Sequence, residues 1–169
     1  MKIVEKRSFD ARPEDLWQVV RDPGNLPAWS QKCVECESIR GGGLGSRFNA
    51  VFEVRDKRQA ARGEVIAHDE GREIVLRFEY EESNGMGSVD ESFRIAKRKS
   101  GQIELVHTVD FQRSTLPYWV KLLIGFLGRF GRRMGPDQLA EIETCFRETD
   151  RRGALQRLPC MRENSRWRQ

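Results

Sequence analysis

The feature that most constrains the fold is a stretch of alternating apolar and polar residues, from about residue 47 to residue 111. Glycine and polar clusters interrupt it at 69–72, 83–85 and 99–101. Because side chains two apart in a strand share a face, such alternation with short reversals is typical of antiparallel strands with one buried face. The sequence therefore predicts an antiparallel meander, with an earlier reversal at 41–43.

The alternation also predicts which side chains point inward. The inward rows are Phe48, Ala50, Phe52 and Val54; Gly63, Val65 and Ala67; Ile74, Leu76, Phe78 and Tyr80; Val89, Glu91, Phe93 and Ile95; and Ile103, Leu105, His107, Val109 and Phe111. Glu91 and His107 stand out as polar. A hairpin centred near Lys99 makes them direct cross-strand neighbours, with Cβ atoms within about 5.5 Å. The same register places His68 and His107 on opposite faces.

A strand and a helix precede the meander. Residues 3–9 alternate as a strand does, and Pro13 suits the first turn of a helix that runs to about Arg21. Residues 22–24, Asp-Pro-Gly, end that helix, and 25–29 form a short helical turn or a loop.

After the meander the apolar residues are spaced three to four apart. This spacing predicts a helix over 120–134, which Gly135-Pro136 interrupts, and a separate amphipathic helix over 137–149. The basic, aromatic segment 116–133 has two interpretations: a lid over the core, or a transient contact with a membrane surface. Its apolar part, 116–127, is shorter than the roughly 20 residues needed to span a bilayer.

Length and charge limit the class of protein. The 169 residues predict one domain, 1–149, with a basic and flexible tail, 150–169. That tail holds six arginines against two acidic residues, which accounts for the whole net charge of +4. A neutral body argues against a specific nucleic-acid surface. The chain opens without a signal-peptide pattern, so a cytoplasmic location is expected.

The four cysteines predict no special chemistry. Cys33 and Cys36 have the spacing of a metal or redox motif, but no second pair supplies the other ligands of a tetrahedral site. Cys145 and Cys160 are isolated. All four are interpreted as ordinary thiols, and neither a metal nor a cofactor is predicted.

Two segments carry a resemblance to a known family. Residues 11–17, Ala-Arg-Pro-Glu-Asp-Leu-Trp, and 22–29, Asp-Pro-Gly-Asn-Leu-Pro-Ala-Trp, are similar to the helix entry and the connection that follows it in the START-like superfamily, also called SRPBCC or polyketide cyclase/dehydrase. Leu44-Gly45 and residues 63–65 fit its strand beginnings. The resemblance covers roughly 1–149. It implies an α+β helix-grip fold, in which a curved antiparallel β-sheet wraps around a C-terminal helix and two short helices follow the first strand.

The resemblance also implies a cavity between sheet and C-terminal helix, which members use for lipids, sterols, polyketides or quinones, and in some cases for catalysis. The leading hypothesis is therefore binding of a hydrophobic or amphipathic small molecule. The candidate ligand-binding residues are Phe48, Phe52, Phe78, Tyr80, Glu91, Phe93, His107, Phe111, Trp119 and Leu123.

Two alternatives remain open. A polyketide cyclase/dehydratase-type enzyme would use Glu91 and His107 as a proton-transfer pair, since a buried carboxylate beside an imidazole can titrate near neutral pH. A protein-interaction domain would instead fill the cavity with its own side chains. Aromatic side chains can line a cavity or fill it, so composition does not separate these alternatives. The sequence predicts neither the identity of a ligand nor an oligomeric state.

Overall fold

The computed structural model describes residues 1–30, 32–38, 43–54, 57–81, 86–98, 101–118, 120 and 139–144. In chain order the elements are β1 (Lys2–Phe9), α1 (Pro13–Val20), a 3-10 turn (Pro23–Asn25), α2 (Leu26–Trp29), β2 (Cys33–Ser38), β3 (Arg47–Val54), β4 (Lys57–Asp69), β5 (Glu73–Tyr80), β6 (Ser88–Lys97) and β7 (Ile103–Asp110), followed by helical residues 139–144, here α3.

The described strands form one antiparallel sheet in the order β1-β7-β6-β5-β4-β3-β2. Each strand from β2 to β6 pairs with the next along the chain, and β1 completes the sheet by pairing with β7. The predicted α+β class and antiparallel meander are confirmed.

Residues at their own ends set the limits of the helices that cross the concave face of the sheet. Helix α1 starts at Pro13, as predicted, with Glu14 and Asp15 in its first turn, where carboxylates interact favourably with the helix dipole. The Asp22 carboxylate accepts the N–H of Gly24 at 2.8 Å, which stabilises the turn between α1 and α2. The short helical turn predicted over 25–29 is present as α2.

The core lies between the concave face and these helices. The side chains that α1 and α2 bury are Leu16, Trp17, Val19, Val20, Leu26 and Trp29, and α3 adds Leu139 and Ile142. Trp29 packs edge-on against Phe93 of β6, with ring centroids 5.1 Å apart. Buried residues in β3, β5 and β6 alternate as the sequence predicted, while the side chain of Val54 lies outside the described residues. In β7 the alternation fails: all residues from Ile103 to His107 are buried, including Glu104 and Val106, which the alternation predicted to point outward.

The predicted register of the β6–β7 hairpin is wrong by one position in its centre. Phe93, not Glu91, lies opposite His107, and Glu91 lies opposite Val109. The turn explains the difference. Its Arg98 N–H donates to the carbonyl of Gln102, and Gly101 adopts a left-handed φ of 84°. Glycine tolerates this conformation, which closes a hairpin centred on position 100 rather than 99.

A register shift in β4 overturns two more expectations. The pairing of β4 with β5 slips between Val65 and Ala67, so Ala67 is exposed rather than inward. The extra residue turns His68 to the concave face, because a bulge reverses the alternation beyond it. His68 pairs with Ile74, whose row continues through Phe93 to His107, so the two histidines share one face. They stand three strands apart, about 14 Å, too far to share a metal.

Glu70 ties the β4–β5 turn to helix α1. Its carboxylate accepts the indole N–H of Trp17 at 2.9 Å and a weaker bond from Arg21 at 3.4 Å. Replacing Glu70 with alanine is expected to lower the free energy of unfolding by about 1 kcal/mol, because the buried indole loses a charged acceptor. Urea unfolding monitored by tryptophan fluorescence measures this.

The matched control is Asp69→Ala in the same turn. Asp69 makes an exposed pair with Arg72 at 3.6 Å, and such pairs contribute little. Equal losses of stability in the two variants would contradict the assignment of the indole hydrogen bond to Glu70.

Candidate functional site

The concave face carries a carboxylate–imidazole–carboxylate trio. Strands β1, β7 and β6 are adjacent and present Glu5, His107 and Glu91. Nε2 of His107 lies 3.3 Å from Oε2 of Glu91, and Nδ1 lies 3.8 Å from Oε2 of Glu5. The structure thus brings together the predicted Glu91 and His107, as diagonal rather than direct cross-strand neighbours. It adds Glu5 on the other side of the ring.

The surroundings of His107 favour its charged form. Burial by itself lowers the pKa of His107, since only 5% of its side chain is exposed, but Glu5 and Glu91 outweigh burial and raise the pKa to about 9. The ring also stacks on Phe93, with centroids 4.6 Å apart and an 11° angle between planes. An aromatic face attracts a cation, so this contact also stabilises the imidazolium. At neutral pH, His107 is therefore a proton donor rather than a base.

Glu5 was missed because the inward rows were counted only within the meander. The alternation of β1 contains the signal, since Ile3, Glu5, Arg7 and Phe9 share one face and Phe9 is buried. Glu5 is 33% exposed at its edge strand. The ion pair of Arg7 with Glu143 of α3, at 3.4 Å, lies on the same face.

The predicted aromatic residues fall into two groups. Phe48, Phe78 and Phe93 are packed in the core with almost no accessible surface. Tyr80 and Phe111 stay partly exposed, and Phe52 is 8% exposed. Phe52, Tyr80 and Phe111 lie at the same end of the sheet. Phe52 and Tyr80 are near the C-terminal ends of β3 and β5, and Phe111 directly follows β7. The rings of Phe52 and Tyr80 are connected to the core, since the Phe52 ring centroid lies 5.4 Å from that of Phe78 and 6.0 Å from that of Tyr80.

Glu91 acts electrostatically on Tyr80, one of the residues at this accessible end. Burial raises the pKa of Tyr80, and the charges of Glu91 and Cys33 raise it further, so the phenol stays neutral and lies within the electrostatic influence of Glu91. The trio and the accessible aromatic residues therefore belong to one region of the concave face.

Several predictions concern residues outside the described ranges. These are the ligand-binding roles of Trp119 and Leu123, most of segment 116–133, the helix beyond residue 144, Cys145, Cys160 and the tail 150–169. Among the described helices, none combines the length and apolar character that crossing a bilayer requires.

Cys33 and Cys36 are held as neutral thiols. Burial is the main cause that raises the pKa of each to about 12. A thiol acts as a nucleophile in its thiolate form, so the raised pKa makes each of these thiols less reactive at neutral pH. Within the described ranges, no three His, Cys, Asp or Glu side chains cluster around a point where a metal ion could bind.

A groove of about 540 Å³ crosses β3, β4 and β5. Its lining comprises Asn49, Val51, Ala60, Arg62, Glu79 and Glu81, which alternate with the buried residues, together with Ala50, Ala61 and Tyr80. The groove includes Tyr80 but none of the trio residues Glu5, His107 and Glu91.

Comparison with known proteins places this geometry in a family. The family model described as polyketide cyclase / dehydrase and lipid transport matches residues 1–141. No curated protein matches the chain. Similar solved structures include major latex-like protein 151 from Panax ginseng, with a TM-score of 0.61 and 14% identity over 85% of this chain and 95% of that one.

Two further structures share the fold. A protein from Rhodobacter sphaeroides has a TM-score of 0.61 and 18% identity, covering 87% of this chain and 92% of its own. Ara h 8.0201 has a TM-score of 0.59 and 16% identity, covering 88% and 98%. These likenesses confirm the helix-grip fold that the resemblance implied. The chain belongs to the polyketide cyclase/dehydrase and lipid transport family of the START-like superfamily.

Proposed function

We propose that the chain binds a hydrophobic or amphipathic small molecule, such as a lipid, a polyketide or a quinone-like compound, on the concave face of its sheet. Phe52, Tyr80 and Phe111 supply the apolar contacts, and Glu91 with His107 orients the polar end. Small-molecule sites typically combine an apolar wall with a few placed polar groups.

The observation that carries this proposal is the unequal burial of the concave face. Phe48, Phe78 and Phe93 are sealed by their own packing, whereas Tyr80, Phe111 and Glu91 keep accessible surface beside them. Partly exposed aromatic side chains next to an ionic trio that is itself only partly buried are costly for a core that is only structural, because apolar surface left in water forgoes burial free energy. A ligand would cover that surface.

Native mass spectrometry of the freshly purified full-length protein tests the proposal. The expected result is an apolar adduct that disappears on denaturation. The apolar fluorophore N-phenyl-1-naphthylamine should also bind, and Tyr80→Ala should weaken its binding by about tenfold, the effect of losing roughly 1.4 kcal/mol of contact.

Val4→Ala is the matched control, since Val4 is 51% exposed on the outward face of β1 and is expected to leave binding unchanged. A bare chain that also fails to bind the fluorophore would remove the proposal and favour a closed interaction domain.

A second candidate is a cyclase/dehydratase-type enzyme. The contact of 3.3 Å between His107 and Glu91 favours it, since a protonated imidazole could donate its Nε2 proton to a substrate carbonyl while Glu91 stabilises the charge. Turnover of a polyketide-like substrate should then be abolished by Glu91→Gln. Unchanged turnover would eliminate this pair as the catalyst.

A further inference from the structure

Glu91 is the polar group of the concave face that is best placed to meet a ligand. It lies in the interior strand β6, and its direct cross-strand partners are Leu76 and Val109. The side chain keeps 15% of its surface exposed. The Glu91 carboxylate is flanked by apolar residues and is still accessible. A ligand group that displaces water from this carboxylate must replace the hydrogen bonds that the water made. The carboxylate therefore favours ligands that carry a hydrogen-bond donor.

The two oxygens of Glu91 are used unequally. Oε2 faces Nε2 of His107, and this is the hydrogen bond that the described part of the chain provides to the carboxylate. Oε1 has no protein donor within the described ranges, and it is not among the enclosed polar atoms. A carboxylate oxygen only accepts hydrogen bonds, so this position requires a donor.

The positive charge of His107 does not interact with Glu91 alone. The imidazole lies between Glu5 and Glu91, so one positive charge interacts with two carboxylates. The potential at Oε1 therefore stays negative.

The other basic side chains on this face have partners elsewhere. Arg7 lies 3.4 Å from Glu143 of α3, and His68 lies 3.6 Å from Glu70 at the far end of β4. Tyr80, which lies near Glu91, is a neutral phenol. Within the described ranges, the ring of His107 is thus the cationic partner of Glu91.

We propose that the ligand of the concave face is an amphipathic amine, whose cationic head group donates to Oε1 of Glu91 while its apolar body lies against Phe52 and Tyr80. This inference rests on the proposed function and specifies the ligand class. An alcohol also donates a hydrogen bond but lacks the charge, and a carboxylate is repelled.

Three surfactants of one chain length separate these head groups. Dodecylamine, 1-dodecanol and dodecanoate are each added to the full-length protein at about pH 7, below their micelle concentrations, in competition with N-phenyl-1-naphthylamine. The amine is expected to displace the fluorophore at about tenfold lower concentration than the alcohol, and dodecanoate should be the weakest. Equal displacement by amine and dodecanoate, or a preference for dodecanoate, would overturn the inference.

The variant Glu91→Gln keeps the shape of the side chain and removes its charge. It is expected to lose the roughly tenfold preference for the amine and to keep its affinity for the alcohol. Glu53→Gln is the matched control, because Glu53 is exposed on the outward face of β3. An amine preference that survives in Glu91→Gln would assign the head group to another residue.

The outcomes separate the two proposals. If the fluorophore does not bind and no surfactant has an effect, the proposed function fails. If all three surfactants compete without regard to charge, the function stands and the amine inference fails. The ranking in the wild-type protein needs no variant, so it decides the inference even if Glu91→Gln does not fold.

Discussion

Replacing Gly63 with alanine is expected to lower the free energy of unfolding by about 3 kcal/mol, the upper end of the usual cost of overpacking. The ring of Phe48 packs directly over the backbone of Gly63, its cross-strand partner. A Cβ atom at position 63 would fall within that ring, closer than two non-bonded carbons can approach. Phe48 is fully buried and packs edge-on against Phe78, so it cannot move away freely. Chemical denaturation followed by circular dichroism measures the loss.

Two comparisons isolate the steric cause. Gly43→Ala adds the same methyl group where nothing lies within 4 Å, so its effect should stay within about 0.5 kcal/mol. In a Phe48→Leu background, Gly63→Ala should cost much less than in the wild type, since residues in contact do not act additively. An equal cost in both backgrounds would show that the ring is not the obstacle.

Stability is expected to fall by up to about 3 kcal/mol between pH 6.5 and pH 9 because of His107. The pKa of this residue rises from its ordinary 6.5 to about 9 in the folded chain, so the folded state holds the proton more tightly. The contribution is complete below pH 6.5 and is lost as the pH rises through 9. Urea unfolding at several pH values, compared between wild type and His107→Gln, measures it.

His68→Gln replaces the chain's other histidine and should keep the wild-type slope with pH. Proton NMR of the His107 ring gives an independent measure, since Glu5→Gln and Glu91→Gln should each lower its pKa by removing one of the two carboxylates that raise it. If His107→Gln lost stability over this pH range as steeply as the wild type, the assignment of the effect to His107 would be wrong.

Local patterns in the sequence were sufficient to predict most of the fold. Alternation in β3, β5 and β6 predicted the buried face because the period of a strand is fixed by its pleat. Pro13 and residues 22–24 predicted the limits of α1 because proline restricts the backbone locally. The resemblance supplied what periodicity could not, namely that the sheet curves around a C-terminal helix.

The candidate site was predicted only in part. Glu91 and His107 were identified because ionisable residues stand out in apolar rows. Their relative positions were predicted wrongly. A one-residue difference in the centre of the 99–101 turn shifts the partner of every residue in the hairpin by two positions. Glu5 is more than a hundred residues from His107 in sequence, and nothing local indicates that β1 pairs with β7.

The sequence by itself determined the strands, the buried face of β3, β5 and β6, and the family, because these depend on residue spacing and on short motifs. The tertiary structure decided the rest. A bulge after Val65 turned His68 inward, the pairing of β1 with β7 placed Glu5 beside His107, and helix packing sealed Phe93 while leaving Tyr80 accessible. These outcomes depend on strand register and on contacts between segments that are distant in sequence. Many weak packing interactions together select that register and those contacts, so no short stretch of sequence encodes them.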